Sequence, residues 1–598
     1  MCGVSAVFRY EHLKEQDAIK LKRMNDQMRY RGPDEEGYWS DDRCAIGQVR
    51  LSIIGLDNGT QPLFNADRSV VLVCNGEIYN YVELKQELAS KGMTLQTDTD
   101  TEVILPLYEL YGTDCVKHLR GMFAFCLYDV RHSQLFVARD RIGEERIYYA
   151  EVPGGVVFSS ELKAILKEYI AEPQLNVEAL LAPIRFTGGI NPRDTFVEQI
   201  KRVQPGEMIT VNDNGLKRRF YWQRRRTYDF GGTLQEAKQE TLRLMQEAVD
   251  IEMRSDVPVA VMLSGGVDSS AVAALAKRNG REVHTITTGY SGRHAEDERA
   301  VARRFAKEQG FIYHELEMSE SDYVDSFDEL TAYLDEPMTD STAIAQWAMF
   351  KKVKELGFKV LLGGMGGDEL FYGYPAWNLL GDSLHLRREH ESIFPWKGKE
   401  KKLQWLKFMS HNLKWVLFAG YPHKLEDRAY GWWIHDDYYR FMENAKLTLG
   451  KETVLLNDYK FSIYKGFPIY PYGKEVDMIY DTAIDTVMTQ AYLYLSDRLS
   501  MGNSLEVRSP LLDYQLVEHV MSLPLEYKYV KGRPKQYMKD VLAGIVPDYI
   551  LYAPKRGFTS PNSFVYHVAQ QYDYKCFTSD FKFYNSVLAD KVLSLLWK

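Results

Sequence analysis

A chain of 598 residues, 45% hydrophobic and 26% charged, is too long for one ordinary core and has the composition of a globular protein with two or three domains. Its formal net charge of -9 argues against a general nucleic-acid surface, so any phosphate binding has to be local. No apolar run approaches the roughly 18 residues of a membrane span, and no secretory leader pattern opens the chain. The six scattered cysteines form no zinc, iron–sulfur or redox spacing, so a reduced cytoplasmic setting is expected.

Up to about residue 222, short β-branched apolar runs are separated by Gly, Asp and Asn: CAIGQVRLSII, SVVLVCNGEIYN, MFAFCLYDV, QLFVARD, GGVVFSS and GEMITV. Runs of this kind predict strands, and only YVELKQELASKG and TEVILPLYELYG predict helices among them. The pattern changes after LKRRFYWQRRRTYDFGG. Amphipathic helices such as TLQEAKQETLRLMQEAVDIEM then alternate with the short strands VPVAVMLSGG, REVHTITTG and KVLLGGMGG, the order of parallel βαβ units. Domains are therefore expected at residues 1–222 and 223–598, with Arg224, Arg225 and Arg226 in a solvated linker. An aromatic-rich insert at about 375–490 carries Trp377, Trp396, Trp405, Trp415, Trp432 and Trp433. It reads either as a helical elaboration packed by its aromatics or as an acceptor pocket with flat faces for a sugar.

The most specific motif is VAVMLSGGVDSSAVAALA, a strand that runs through Leu263 into Ser264, Gly265, Gly266, Val267, Asp268, Ser269 and Ser270 and on into a helix. Glycines allow an anion to approach the backbone, and the helix start supplies unpaired N–H groups and positive dipole. The loop lacks the Lys-Ser/Thr ending of a Walker loop. A second stretch, VLLGGMGGDELFYGY, also follows a strand; it contributes Gly364 and Gly366 and delivers Asp368 and Glu369.

At the other end of the chain the opening is MCGV. Removal of Met1 would leave Cys2 with a free α-amine of pKa near 8, a base attached to its own nucleophile. The segments MCGVSAVF, RGPDEEG, VRLSI, QPLF, NGEIYNY and TDTDTEVI follow in that order, and together they resemble the class II glutamine amidotransferases. That resemblance implies an N-terminal-nucleophile αββα sandwich in which Cys2 attacks the glutamine amide. It also implies an oxyanion hole from Asn75 and the N–H of Gly76. Arg50 would hold the glutamine carboxylate, and Glu77 with Asp100 its amino end.

SGGVDSS resembles the loop of the PP-loop ATP pyrophosphatases, which adenylate a substrate and release pyrophosphate. With RGMFAFCLYD, FSSELKAIL, LDEPMTDSTAI, LEVRSPLLDY and APKRGFTSP, the order of the two halves resembles the asparagine synthetase family. The resemblance implies ATP and Mg²⁺, with Asp268 and Asp368 as metal ligands and Lys535 on the phosphates. Its expected partners are glutamine, ATP and a small carboxylate acceptor, without nucleic acid or a membrane span, in a possible homodimer. Aspartate is the default acceptor and a sugar uronic acid the alternative. A sugar-phosphate aminotransferase is opposed by SGGVDSS, and a non-catalytic nucleotide-binding relative by the presence of both sets of reactive residues.

Three departures bear on that reading: Met365 stands where the family commonly has an acid, Gln48 where histidine is frequent, and GEERIYY in place of GIKPLYY. A thioether cannot act as a base. For Cys2 the expectation is that glutamine-active enzyme lacks Met1, and an intact mass retaining Met1 in active protein would rule the cysteine out as nucleophile.

Overall fold

The computed structural model describes residues 2–180, 192–278, 280–375, 377–378, 381–382, 446–449, 452–455, 473–554, 560–578 and 586–597, apart from 293, 295, 296 and 339. Met1 and the tryptophans Trp396, Trp405, Trp415, Trp432 and Trp433 lie outside the described residues.

The strand-rich first half forms two six-stranded sheets whose described pairings are all antiparallel. One runs in the order Lys201–Arg202, Tyr148–Val152, Gly155–Ser159, Gly3–Arg9, Cys44–Arg50, Glu35–Ser40. The other runs Gly215–Phe220, Glu207–Asn212, Gln134–Arg139, Met122–Asp129, Val70–Glu77, Leu63–Phe64. Because successive side chains on a strand face opposite ways, Val4, Ala6 and Phe8 turn to one face and pack on Val71, Val73, Ala124 and Cys126 of the second sheet. Val7, on the opposite face, packs on Leu21, Met24 and Ile165 of an outer helical layer. Leu72, Phe123 and Phe125 are covered in the same way by Leu84, Leu88, Ile104 and Leu107. The result is the expected αββα sandwich.

Two of its helices, Glu15–Gln27 and Leu162–Tyr169, were not expected in this half. The first buries only the narrow stripe Asp17, Leu21, Met24 and Asn25, so its apolar periodicity is weak. The second has barely two turns over which a period could show.

The second half is built on a five-stranded parallel sheet in the order Ile312–Met318, His284–Tyr290, Val259–Met262, Val360–Leu362, Glu506–Arg508. Its helix Leu234–Glu252 starts at a capping box, with Thr233 accepting from Glu236 N and Glu236 accepting from Thr233 N. Strand order reverses between Val259–Met262 and Val360–Leu362. In open parallel sheets the crevice at such a reversal is where ligands bind, and both glycine-rich loops emerge there.

The arginines at 224 and 226 are not solvated. Arg224 pairs with Asp481 and Asp485 at 2.6 Å each, and Arg226 with Asp477 and Asp481 at 2.8 Å each, so helix Glu475–Ala483 and the turn that continues it staple this segment down. Three closely spaced cations read as an exposed run in sequence because the partners of Arg224 and Arg226 lie some 250 residues away. Arg225 alone remains exposed.

A deeper set of ion pairs joins the two halves. Arg31, fully buried in the sandwich, pairs with Asp497 of the helix Leu493–Gly502 at 2.6 Å and with Glu161 at 3.4 Å. Arg498 adds contacts to Glu161 at 2.9 Å and Asp335 at 3.1 Å. Burial alone would raise the Asp497 carboxyl, but Arg31 and Arg498 overcome it and hold it below its ordinary value. Asp497→Asn should cost about 3–5 kcal/mol in denaturant unfolding, since it leaves buried guanidinium charge unmatched. Because the folded value is depressed, that stabilisation should be complete above the ordinary carboxylate pKa of about 4. The wild-type advantage should then shrink as pH falls through the lower folded value.

Candidate active sites

Cys2 is buried directly ahead of strand Gly3–Arg9. Its N–H donates to Asn75 Oδ1 at 2.5 Å, and its carbonyl accepts from Arg31 Nε at 2.8 Å. Burial pushes the thiol up. Asn75 lies on strand Val70–Glu77, which pairs with Met122–Asp129, and its neighbour Gly76 has φ of +122°. A Cβ on Gly76 would stand 2.1 Å from the Met122 carbonyl oxygen, so only glycine lets the chain turn here against the adjoining strand. Gln48, at the histidine-frequent position, donates to the Cys74 carbonyl at 2.7 Å, while Gln61 Oε1 accepts from Cys74 N at 2.6 Å. Both side chains brace the residue before Asn75.

The expected glutamine-binding residues surround the same point. The charges of Arg50 and Glu77 both act on the Cys2 thiol. Arg50 donates to the carbonyls of Ile54 and Gly55 at 2.9 Å each and pairs with Glu35 at 3.1 Å. Glu77 is buried; burial and then Asp100 push its carboxyl well up, and its Oε2 makes no hydrogen bond among the described residues. Arg508 of the parallel sheet stands 3.8 Å from that oxygen. Asp100 accepts from Ile78 N at 2.6 Å and from Thr99 Oγ1 at 3.2 Å, which orients its carboxyl beside Glu77.

At the reversal of the parallel sheet, Leu263 N donates to Ile286 O at 2.9 Å and carries the chain into the loop at Ser264, Gly265 and Gly266. Ser269 Oγ accepts from Ser264 N at 3.1 Å and lies 3.0 Å from Ser264 Oγ, which folds the loop over the start of helix Val267–Lys277. Asp268, Ser269 and Ser270 make up its first turn. The second loop, with Gly364 and Gly366, packs directly on the first: a Cβ on Gly367 would meet Asp268 Oδ1 at 2.2 Å. That close approach accounts for the run of glycines. Lys535 is buried with left-handed backbone, φ +57°, and its Nζ pairs with Asp268 and, at 2.8 Å, with Asp368. Burial works against its charge, yet the two carboxylates hold its pKa above the ordinary lysine value. All the residues expected at the ATP site therefore converge.

Sequence reasoning named Glu369 without giving it a role and missed the pairings of Arg31, Asp497 and Arg508. Glu369 is buried and accepts from Tyr374 OH at 2.7 Å; burial, with Asp368 next, pushes its carboxyl up to about 7. Arg31 and Arg508 lie within RGPDEEG and LEVRSPLLDY and Asp497 shortly before the latter, but the pairings span up to 466 residues, and no local spacing reveals them. Met365 packs against a buried apolar cluster. That cluster runs continuously from Leu51, Ile53, Met122 and Ile142 of the sandwich to Leu263, Leu362 and Leu511 of the parallel-sheet half. Trp377 is buried against Tyr480 and Ile479, which is the packing role rather than an open sugar platform.

Residues 1–222 match the glutamine amidotransferase domain model and residues 240–575 the asparagine synthase model. The chain is 32% identical to asparagine synthetase (glutamine-hydrolyzing) 1 of Bacillus subtilis strain 168, over 94% of this chain and 87% of that protein. It is 30% identical to asparagine synthetase (glutamine-hydrolyzing) 3 of the same strain, over 93% and 86%. Amidase chyE of Penicillium rubens is 28% identical over 94% of this chain and 89% of its own length. A glutaminase-type sandwich, a parallel sheet with its glycine loops at the strand reversal and this similarity over nearly the whole chain agree: the chain belongs to the glutamine-hydrolysing asparagine synthetase family of carbon–nitrogen ligases.

Proposed function

We propose that this enzyme adenylates the side-chain carboxylate of aspartate with ATP and aminates it with ammonia released from glutamine at Cys2. The observation that carries the reading is Lys535 held between Asp268 and Asp368 where both glycine loops leave the sheet. Aspartate is chosen as acceptor because relatives over nearly the full length are named asparagine synthetases.

In the glutaminase half, burial favours the protonated thiol, so attack needs a base, and the free amine of Cys2 after loss of Met1 serves. Asn75 Nδ2 and the N–H of Gly76 donate to the carbonyl oxygen as it gains charge. Glu77, buried with an oxygen that makes no hydrogen bond among the described residues, would ionise against the substrate's ammonium group, whose charge opposes the upward push of burial and Asp100, and Arg50 suits its carboxylate. Thioester hydrolysis regenerates Cys2 and releases glutamate.

In the synthetase half, a carboxylate oxygen of the acceptor attacks the α-phosphorus and the bond to pyrophosphate breaks. Lys535 offsets the negative charge that accumulates on the phosphates. Asp268 and Asp368 are hard oxygen donors aimed at one cation, Lys535 Nζ, and would hold Mg²⁺, which supplies further charge neutralisation when bound. Ammonia then attacks the acyl carbon and AMP leaves. Ammonia protonated in bulk water is lost as a nucleophile, so sheltered transfer matters. The apolar cluster from Leu51 to Leu263 supports transfer between the halves. Met365 contributes to that surface and supplies no base, so proton removal from the attacking nitrogen falls to another group.

The test is formation of AMP and pyrophosphate from ATP with glutamine and Mg²⁺, comparing aspartate with uronic acids and nucleotide-linked uronates. Aspartate-dependent AMP with asparagine as product is expected; turnover with a uronate alone would overturn the acceptor. Cys2→Ala should abolish glutamine-dependent synthesis and retain synthesis from ammonium. Lys535→Ala should lower adenylation by about 100-fold or more while glutamine hydrolysis persists.

A further inference from the structure

The turn between strands Gln134–Arg139 and Tyr148–Val152 carries the GEERIYY departure, which places a carboxylic acid, Glu145, where the family's usual stretch has lysine. Its backbone is caged. Asp140 Oδ2 accepts from Glu145 N at 2.9 Å, and Asp140 Oδ1 accepts from Ile142 N at 3.0 Å and Gly143 N at 2.5 Å. From the other side Arg139 donates to the Glu145 carbonyl at 2.5 Å and to the Gly143 carbonyl at 2.6 Å. A side chain on so constrained a turn points in one direction. Glu145 is fully buried, its Oε2 accepts from Asn75 Nδ2, and its Oε1 makes no hydrogen bond among the described residues.

The consequence falls on Asn75. A carboxamide can be turned over, exchanging its donor and acceptor ends, unless its surroundings tell the two apart. Here Cys2 N donates on one side at 2.5 Å and Glu145 accepts on the other. Turning the amide over would need both neighbours to exchange roles at once, Glu145 to donate and Cys2 N to accept. A lysine at position 145, having only donors, could not impose this choice.

We propose that Glu145 is the positioning residue for the Asn75 amide, holding Nδ2 so that its second N–H is presented to the carbonyl oxygen of glutamine as that oxygen gains charge. This rests on the glutaminase reading of Cys2. An ionised acid so near a developing oxyanion would oppose it, and burial answers that difficulty. Burial, followed by the charge of Asp497, pushes the Glu145 carboxyl up to about 8, so near neutral pH it keeps its proton. Oε2 stays available as the acceptor, and the proton belongs on the oxygen without a hydrogen-bond partner.

The experiment uses the full-length enzyme and follows glutamate release from glutamine, with kcat and KM determined separately, alongside AMP formation driven by ammonium chloride. Glu145→Ala should lower kcat for glutamine hydrolysis by about 10–100-fold, less than outright loss of an oxyanion donor. The KM for glutamine should stay within about twofold and ammonium-driven synthesis should not change. Glu145→Gln, whose side-chain carbonyl can accept the same bond, should return kcat to within about threefold of wild type, whereas Glu145→Lys should behave like the alanine variant. An unchanged kcat in Glu145→Ala, a glutamine variant as poor as alanine, or parallel loss of ammonium-driven synthesis would each overturn the assignment. Absence of glutaminase activity in wild type would overturn the Cys2 reading and this one with it; wild-type activity matched by Glu145→Ala overturns this one alone.

Discussion

The junction of the two halves depends on one buried guanidinium. Arg31 touches the carbonyl of Cys2, the carboxylate of Glu161 and the carboxylate of Asp497, so the proposed nucleophile, the start of the outer helix Leu162–Tyr169 and the helix Leu493–Gly502 share a single charge. Such a cation is costly to dehydrate and is tolerated only where its partners are already in place. Arg498, equally buried, repeats the arrangement with Glu161 and Asp335. A displacement between the halves would break several of these contacts together. The position of Cys2 is therefore coupled to the relative placement of the two units.

A different constraint governs the ATP end. Two backbone loops must approach closely enough for Asp268 and Asp368 to share one cation, and side chains would prevent it. A Cβ at Gly367 would lie 2.2 Å from Asp268, while the sheet order brings the strands before both loops side by side. Lys535 arrives from a segment remote in sequence and balances the two carboxylates. Glycine spacing, parallel topology and charge balance thus meet at one crevice, which explains why the motif-bearing loops sit at the reversal of the sheet and not elsewhere along it.

The departures from family pattern have separate physical outcomes. Gln48 takes a bracing role behind Asn75, Met365 joins the apolar cluster between the halves, and Glu145 meets Asn75. Neither Gln48 nor Met365 disturbs the surrounding fold, because an amide can hydrogen-bond to a neighbouring carbonyl and a thioether packs against apolar groups. The described aromatics follow the same logic. Trp377 and Tyr480 fill a small core over helix Glu475–Ala483, whose aspartates also anchor Arg224 and Arg226.

Local pattern determined much of this protein. Alternating apolar residues such as Val4, Ala6 and Phe8 specify strands with two faces, and the SGGVDSS stretch specifies a strand, an anion-binding turn and a helix, because period and backbone freedom are properties of neighbouring residues. The order of the motifs likewise made the family and the residues around Cys2 and Asp268 legible. The weakly patterned helices Glu15–Gln27 and Leu162–Tyr169 escaped, since a thin or short apolar stripe carries little periodic signal. Only the tertiary structure decided that Arg224 and Arg226 are paired with distant aspartates, that Arg31 reaches Asp497 and that Glu145 faces Asn75. The physical reason is that ion pairs and side-chain hydrogen bonds act across space between segments far apart in the chain, and their meaning arises only when burial removes the water that would otherwise satisfy each group alone.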